Sequence, residues 1–271
     1  DPTHTSPPKQ QAHNNPHLSP PICTQAVQVD NSVRNNGQLE KYEHLEAEWV
    51  EFTNSDGRTK AKGPGVVRSY THGQDGMLPV QANQPAAKPA ANAPATADSN
   101  QLYLTEVHFT DRMDANRTQQ IANFFGHVEV FHCPANNENT LVDPDNLPEG
   151  SMRLACEELE MATKTGPNKQ AYHELVGTGN IDVEANTFSG RGDRISYNQL
   201  HDRLIFQSRP GSFATLYRQL RPGEPWDMTR AFKIFFYRRT GQVRVEGGIM
   251  IDLQEREADR KGNQKTPPKK F

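Results

Sequence analysis

From about residue 39 to residue 253 the chain alternates apolar and polar side chains in short runs, the period-two pattern of strands with one buried and one wetted face. Val128-Glu129-Val130, Ile181-Asp182-Val183 and Val243-Arg244-Val245 carry it most plainly. Each follows a glycine or tight polar turn, Gly126-His127, Gly179-Asn180 and Gly241-Gln242, and Gly65-Val66-Val67 is a shorter copy. These glycines recur at intervals of roughly 50 to 60 residues, long enough for two hairpins each, which predicts a stacked sheet rather than unrelated strands.

From Leu39 to Tyr70 the chain reads as a first hairpin, Leu45, Ala47 and Trp49 alternating with Glu46 and Glu48 before the turn Asn54-Ser55-Asp56-Gly57, and strand runs are expected near 102–109, 121–131, 151–161, 173–183, 191–197, 203–206, 212–217, 231–237 and 242–253. Glycine-bearing or polar breaks such as Gly166-Pro167-Asn168, Pro210-Gly211 and Thr240-Gly241 separate them. Asp111 to Ala122 has room for three helical turns, but Met113, Ala115 and Ile121 make a poor stripe. The expectation is an all-β protein of antiparallel hairpins with little helix.

Composition adds ragged ends. Hydrophobic residues make up 34% of the chain, mean hydropathy is −0.85, and 19 glycines with 20 prolines leave a sizeable fraction outside any packed core. Residues 1–21 read as a disordered tail, 22–81 as a first β segment, 82–99 as a Pro/Ala-rich linker, 100–254 as the main β domain and 255–271 as a charged tail, basic from Lys261 to Lys270. A net charge of −3 gives no overall attraction for nucleic acid or an anionic membrane. No apolar run approaches the length of a membrane helix. Because the chain starts at Asp1 without a charged-then-apolar leader, a processed product or fragment is expected, with any export signal outside it.

Candidate chemistry changes the picture little. Gly177-Thr178-Gly179 lacks the helix start of a phosphate loop and reads as a hairpin turn. Arg191-Gly192-Asp193 spells an adhesion tripeptide but also suits a strand entry, and Asn116-Arg117-Thr118 matches a glycosylation acceptor. Glu157, Glu158 and Glu160 read as the wet side of a bulged strand rather than an acid-base pair. The ten histidines show no ligand spacing, and His201-Asp202 falls in a turn without a nucleophile elbow. The three cysteines, Cys23, Cys133 and Cys156, form no metal pattern; Cys133 and Cys156 are either a disulfide or two small buried side chains. No enzyme signature, metal or cofactor is expected.

The run Gly177 to Val183, followed by Gly192-Asp193-Arg194-Ile195-Ser196-Tyr197-Asn198 and Leu204-Ile205-Phe206, resembles the repeat of the OstA-like (organic solvent tolerance) domain of bacterial lipopolysaccharide-transport proteins. Weaker copies lie at Phe125 to Val130 and at Ile234 to Tyr237 with Gly241 to Gly247, and a degenerate one spans Leu45 to Val67, roughly 180 residues in all. The chain departs from the repeat in its linker, in the polar insertion from Asn136 to Gly150, and in Gln207-Ser208 where a glycine is usual.

The resemblance implies a β-jellyroll or β-taco, two facing sheets whose incompletely closed inner faces shelter the acyl chains of a lipid. The implied lining is Val128, Val130, Ile181, Val183, Ile195, Tyr197, Leu204, Phe206, Phe213, Ile234, Phe236, Val243 and Val245. It also implies a periplasmic or envelope location, lipopolysaccharide or another acylated lipid as partner, and edge-to-edge pairing with itself or other transport components. A filled sandwich serving as a structural or adhesive scaffold is the alternative, and a carbohydrate-active enzyme would need two inward carboxylates.

Overall fold

The computed structural model describes residues 26–35, 38–72, 101–166, 169, 171–219 and 225–247. The expected N-terminal tail, Pro/Ala linker and charged C-terminal tail lie outside them. The described chain is nearly all strand: β1 (Val27–Asn35), β2 (Gln38–Thr53), β3 (Arg58–His72), β4 (Leu102–Phe109), β5 (Arg112–Asn116), β6 (Ile121–Ala135), β7 (Met152–Thr165) and β8 (Ala171–Ala185), then β9 (Phe188–Asn198), β10 (Arg203–Gln207), β11 (Ala214–Arg218), β12 (Asp227–Ala231), β13 (Lys233–Tyr237) and β14 (Gln242–Glu246). All pairings are antiparallel within one sheet, ordered β1-β2-β3-β4-β6-β7-β8-β9-β10-β13-β14, with β5 beside β3 and β6, and β11 beside β9 and β12. The two β segments flanking the linker therefore share a sheet: β3 pairs with β4 and with β5.

That sheet is folded along a single line, here called the spine, because every long strand is interrupted at the same level. Residues 126–127 of β6 interrupt its ladder with β7, and 179–180 of β8 its ladder with β9. Gly126 and His127 have φ of 76° and 42°, and Gly179 and Asn180 have 78° and 48°. Two consecutive left-handed residues turn the strand direction without reversing it, and glycine and asparagine tolerate that region best. Gly177-Thr178-Gly179 is thus a bend inside β8, not a hairpin turn. Neighbouring strands are stitched across the spine by Gly63 N–H donating to Asp111 O (2.6 Å) and Thr110 N–H donating to Gly126 O (2.8 Å).

On one side of the spine lies wing A: β1, residues 38–47 and 65–72, β4, residues 128–135, 152–156, 181–185 and 188–192, β11 and β12. On the other lies wing B: residues 49–53 and 58–62, β5, residues 121–125, 158–165, 171–178 and 194–198, β10, β13 and β14. The weak helical stretch is β5, a turn and the start of β6, since Met113 and Phe124 pair on one inward face. Gly241, the fourth repeat glycine, sits in the β13–β14 turn far from the spine, so the last copy plays a different part from the others.

Candidate functional site: the space between the wings

Cross-strand neighbours share a face, so the registers define inward rows. In wing A the second row from the spine reads Val29, Leu45, Val67, Val107, Val130, Leu154, Val183, Gly190, Leu216. In wing B the first row reads Val50, Ala61, Met113, Phe124, Leu159, Gly177, Ile195, Phe206, Ile234, Val245, and the second contains Met161, Leu175, Tyr197, Leu204, Phe236 and Val243. Nearly all of these form one buried apolar cluster.

The third row, at the open edge that we call the mouth, is polar in wing B and mixed in wing A, where Met152, Ala185 and Phe188 stand between its polar members. Wing A places Ser69, Thr105, His132 and Arg218 there; wing B places Thr163 and His173. Thr105 Oγ1 lies 3.0 Å from His132 Nδ1, and Thr163 Oγ1 lies 3.1 Å from His173 Nδ1. Tyr103 stacks on His132 at 5.2 Å. Burial pushes the His132 pKa down to about 4, and the Arg238 guanidinium at the mouth of wing B adds to the effect. Arg238 also donates to Asp202 Oδ1 (2.8 Å) and Tyr197 Oη (2.9 Å). Among the described residues, buried Ser69 Oγ and Thr71 Oγ1 have no hydrogen-bond partner. A direct polar bridge joins the wings at the mouth, where Arg218 Nη1 donates to Gly241 O.

Of the thirteen lining residues expected from sequence, ten converge between the wings: Val128, Val130, Ile181, Val183, Ile195, Tyr197, Leu204, Phe206, Ile234 and Phe236, none more than 5% exposed. Val243 packs at the margin of the cluster, and Val245, 38% exposed, faces inward on edge strand β14 where the trough ends. Phe213 does not line it. The Pro210-Gly211 turn leaves Phe213 outside the ladder before β11 starts at Ala214, 36% exposed beneath Arg230.

The expectation of an incompletely closed slot also needs correction: side chains fill it. The aromatic rings of Phe188 (wing A) and Phe236 (wing B) meet at 5.0 Å, and a Cβ on Gly190 would lie 2.4 Å from the Phe206 ring opposite. The cavity among Met152, Leu154, Leu175, Val183, Ile195, Tyr197 and Leu204 holds only about 10 Å³. That is about one water-sized probe and far too small for an alkyl chain. Two apolar faces hinged on one line in water close until their side chains touch, because each remaining gap forfeits dispersion contacts.

The sequence reading missed Leu154, Leu159, Met161, Leu175 and Leu216, which are as buried as the residues it named. It also missed the polar mouth, whose only sequence signal is that Thr105 and His132 continue the inward phase set by Val107 and Val130. The insertion 136–150 lies against the outside of wing A: Tyr70 Oη donates to Thr140 O (2.7 Å), and Val142 packs on a second cluster of Tyr70, Leu102, Leu104, Cys133 and Ala135. Cys133 and Cys156 are free thiols on opposite faces of the sheet, Cys133 in this outer cluster and Cys156 between the wings. No protein-family model and no curated protein matches the chain.

Proposed function

We propose that the protein is a non-enzymatic carrier of lipopolysaccharide-like or other acylated lipids in a bacterial envelope, sheltering acyl chains between wings that part to admit them. The observation that carries this reading is the gradient inside part of the trough: two apolar rows beside the spine give way at the mouth to Thr163 and His173 in wing B and to Ser69, Thr105 and His132 on β3, β4 and β6 of wing A. An amphiphile has the same gradient, with chains toward the spine and head group among His132, His173, Thr105 and the unpartnered Ser69 hydroxyl. Each methylene taken from water contributes about 0.8 kcal/mol. Parting the wings exchanges side-chain contacts for contacts with the chain, so most of that gain survives.

The ends of the trough suit a conduit. Val27 (37% exposed) and Phe52 (52%) face inward on strands at the β1–β2 end, and Val245 does so on β14 at the other. Among the described residues the outer edges of β1 and β14 have no further strand beside them, which suits strand addition by a second copy or another envelope component.

A structural scaffold is the second reading, favoured by the filled interior. Incubation with a fluorescent fatty acyl or lipid A analogue separates the two. A carrier takes up the probe, and Val183→Glu or Phe236→Glu reduces uptake in protein that keeps its β circular dichroism. A scaffold ignores the probe, and no uptake by folded wild-type protein rejects carriage.

A further inference from the structure

On the outer face of wing B, the cross-strand row Arg244-Phe235-Ile205-Ser196 is flanked by Lys233 and Arg194 on its spine side and by Arg203 on its mouth side. Three cations crowd one ring: Arg203, Lys233 and Arg244 lie 5.8, 4.9 and 5.7 Å from the Phe235 centroid. Like charges on adjacent strands repel, so the cluster costs stability unless something anionic covers it. Among the described residues one carboxylate, Glu246, serves both Lys233 (3.9 Å) and Arg244 (3.4 Å). Among the described residues, buried Arg203 Nε has no hydrogen-bond partner. Where the patch reaches the spine, Arg194, Gln207, Ser208 and Phe232 help line a surface pocket of about 430 Å³ that also holds two carboxylates, Asp193, which accepts from Arg209, and Glu157, which accepts from Asn180. Two strands further along the row the charge turns acidic at Glu160, so the patch is bounded.

We propose that this face docks the protein on a membrane surface bearing phosphorylated anionic lipid head groups. The cations form a two-dimensional array on four neighbouring strands, and a bilayer presents anions in a plane, whereas an acidic peptide presents them along a line. Guanidinium forks match phosphate oxygens. Phe235 is buried beneath the cations, so contact is made at head-group level. The proposal stands apart from acyl carriage, because its readout is adhesion and not uptake.

The test is co-sedimentation of the full chain with phosphatidylcholine vesicles with and without phosphatidylglycerol. Binding is expected only with the anionic lipid, and is expected to vanish near 1 M salt, where the screening length is about 3 Å. Arg203→Glu combined with Lys233→Glu should weaken it by about tenfold or more. Lys60→Glu, on the same face but at the far end of the wing, should leave it unchanged. Equal binding to both vesicles, equal loss in both variants, or no binding overturns the proposal. So does capture of poly-glutamate or inorganic phosphate by protein that ignores anionic vesicles.

Discussion

At Gly179 a Cβ would stand 2.5 Å from a carboxylate oxygen of Glu157 and 2.7 Å from its Cβ, at a φ of +78°. Both the crowding and the left-handed backbone resist a side chain, so Gly179→Ala should cost about 1–3 kcal/mol in urea unfolding. Gly211, with φ +90° but nothing within 4 Å of its Cβ position, pays the backbone term alone, so Gly211→Ala should cost measurably less. Equal losses would contradict the spine contact. His132 supplies a pH signature. Its folded pKa, about 4, lies below the ordinary 6.5, so the unfolded chain binds a proton that the fold refuses. Stability contributed by neutral His132 is therefore complete above pH 6.5 and declines as pH falls through 6.5 toward 4, by about 3 kcal/mol in total. His132→Gln should flatten that part of the urea-midpoint profile; an unchanged profile would mean that other groups govern it. On the outer face, burial alone would raise Glu106, but hydrogen bonds from His108 (2.5 Å) and Arg68 (2.6 Å) outweigh it and hold the carboxyl below its usual range.

Strand by strand, β4 is read from sequence to the residue, and the hairpin of β2 and β3 around its Asp56-Gly57 turn is read as one stretch whose outer ends fall within two residues of those observed, because alternation runs unbroken over each half-strand. What the sequence hides is phase across the spine. In β6 the two-residue bend leaves inward residues Phe124 and Val128 on the same parity. In β7 the single extra residue at Glu157 shifts the inward set from Leu154 and Cys156 to Leu159 and Met161. The bulge expected around Glu157 is there, with Glu157, Glu158 and Glu160 exposed as its wet side, but the expectation named only that side of β7 and none of its inward residues. β1 and β12 were missed because Asn31, Ser32 and Asp227 break the apolar pattern. The placement of 136–150 over β3, β4 and β6 gives a prediction for these elements. Burial raises the Cys133 thiol to about 11 and the Cys156 thiol to about 12. In a Cys23→Ser background, replacing residues 137–149 by a short glycine-serine turn should speed labelling of Cys133 by an aromatic disulfide reagent at least about tenfold. Cys156, beneath the closed wings, should stay slow. Parallel acceleration of both thiols would show that the insertion supports the whole sheet rather than covering one face.

As a whole, the molecule is one sheet folded on itself, and its two-sided apolar interior was legible in the recurring glycine-strand units. Closure was not legible, because alternation says which side chains point inward and nothing about how close the facing wings come. Gly190 against Phe206 and Phe188 against Phe236 decide that distance. If the wings part at the mouth, the Arg218 bridge to Gly241 O restrains them, and Arg218→Ala should accelerate acyl-probe uptake in stopped-flow fluorescence. An unchanged rate would place the entry route elsewhere. The most direct test of acyl carriage is photocrosslinking to an acyl lipid from single positions on the two faces of the sheet: Val183 and Ile195, which point between the wings, against Asp182 and Glu129, which point out from wing A, away from the cationic face. Lipid adducts are expected from Val183 and Ile195 and none from Asp182 and Glu129. Adducts only from the outward pair, or from none of the four in folded protein, would contradict it.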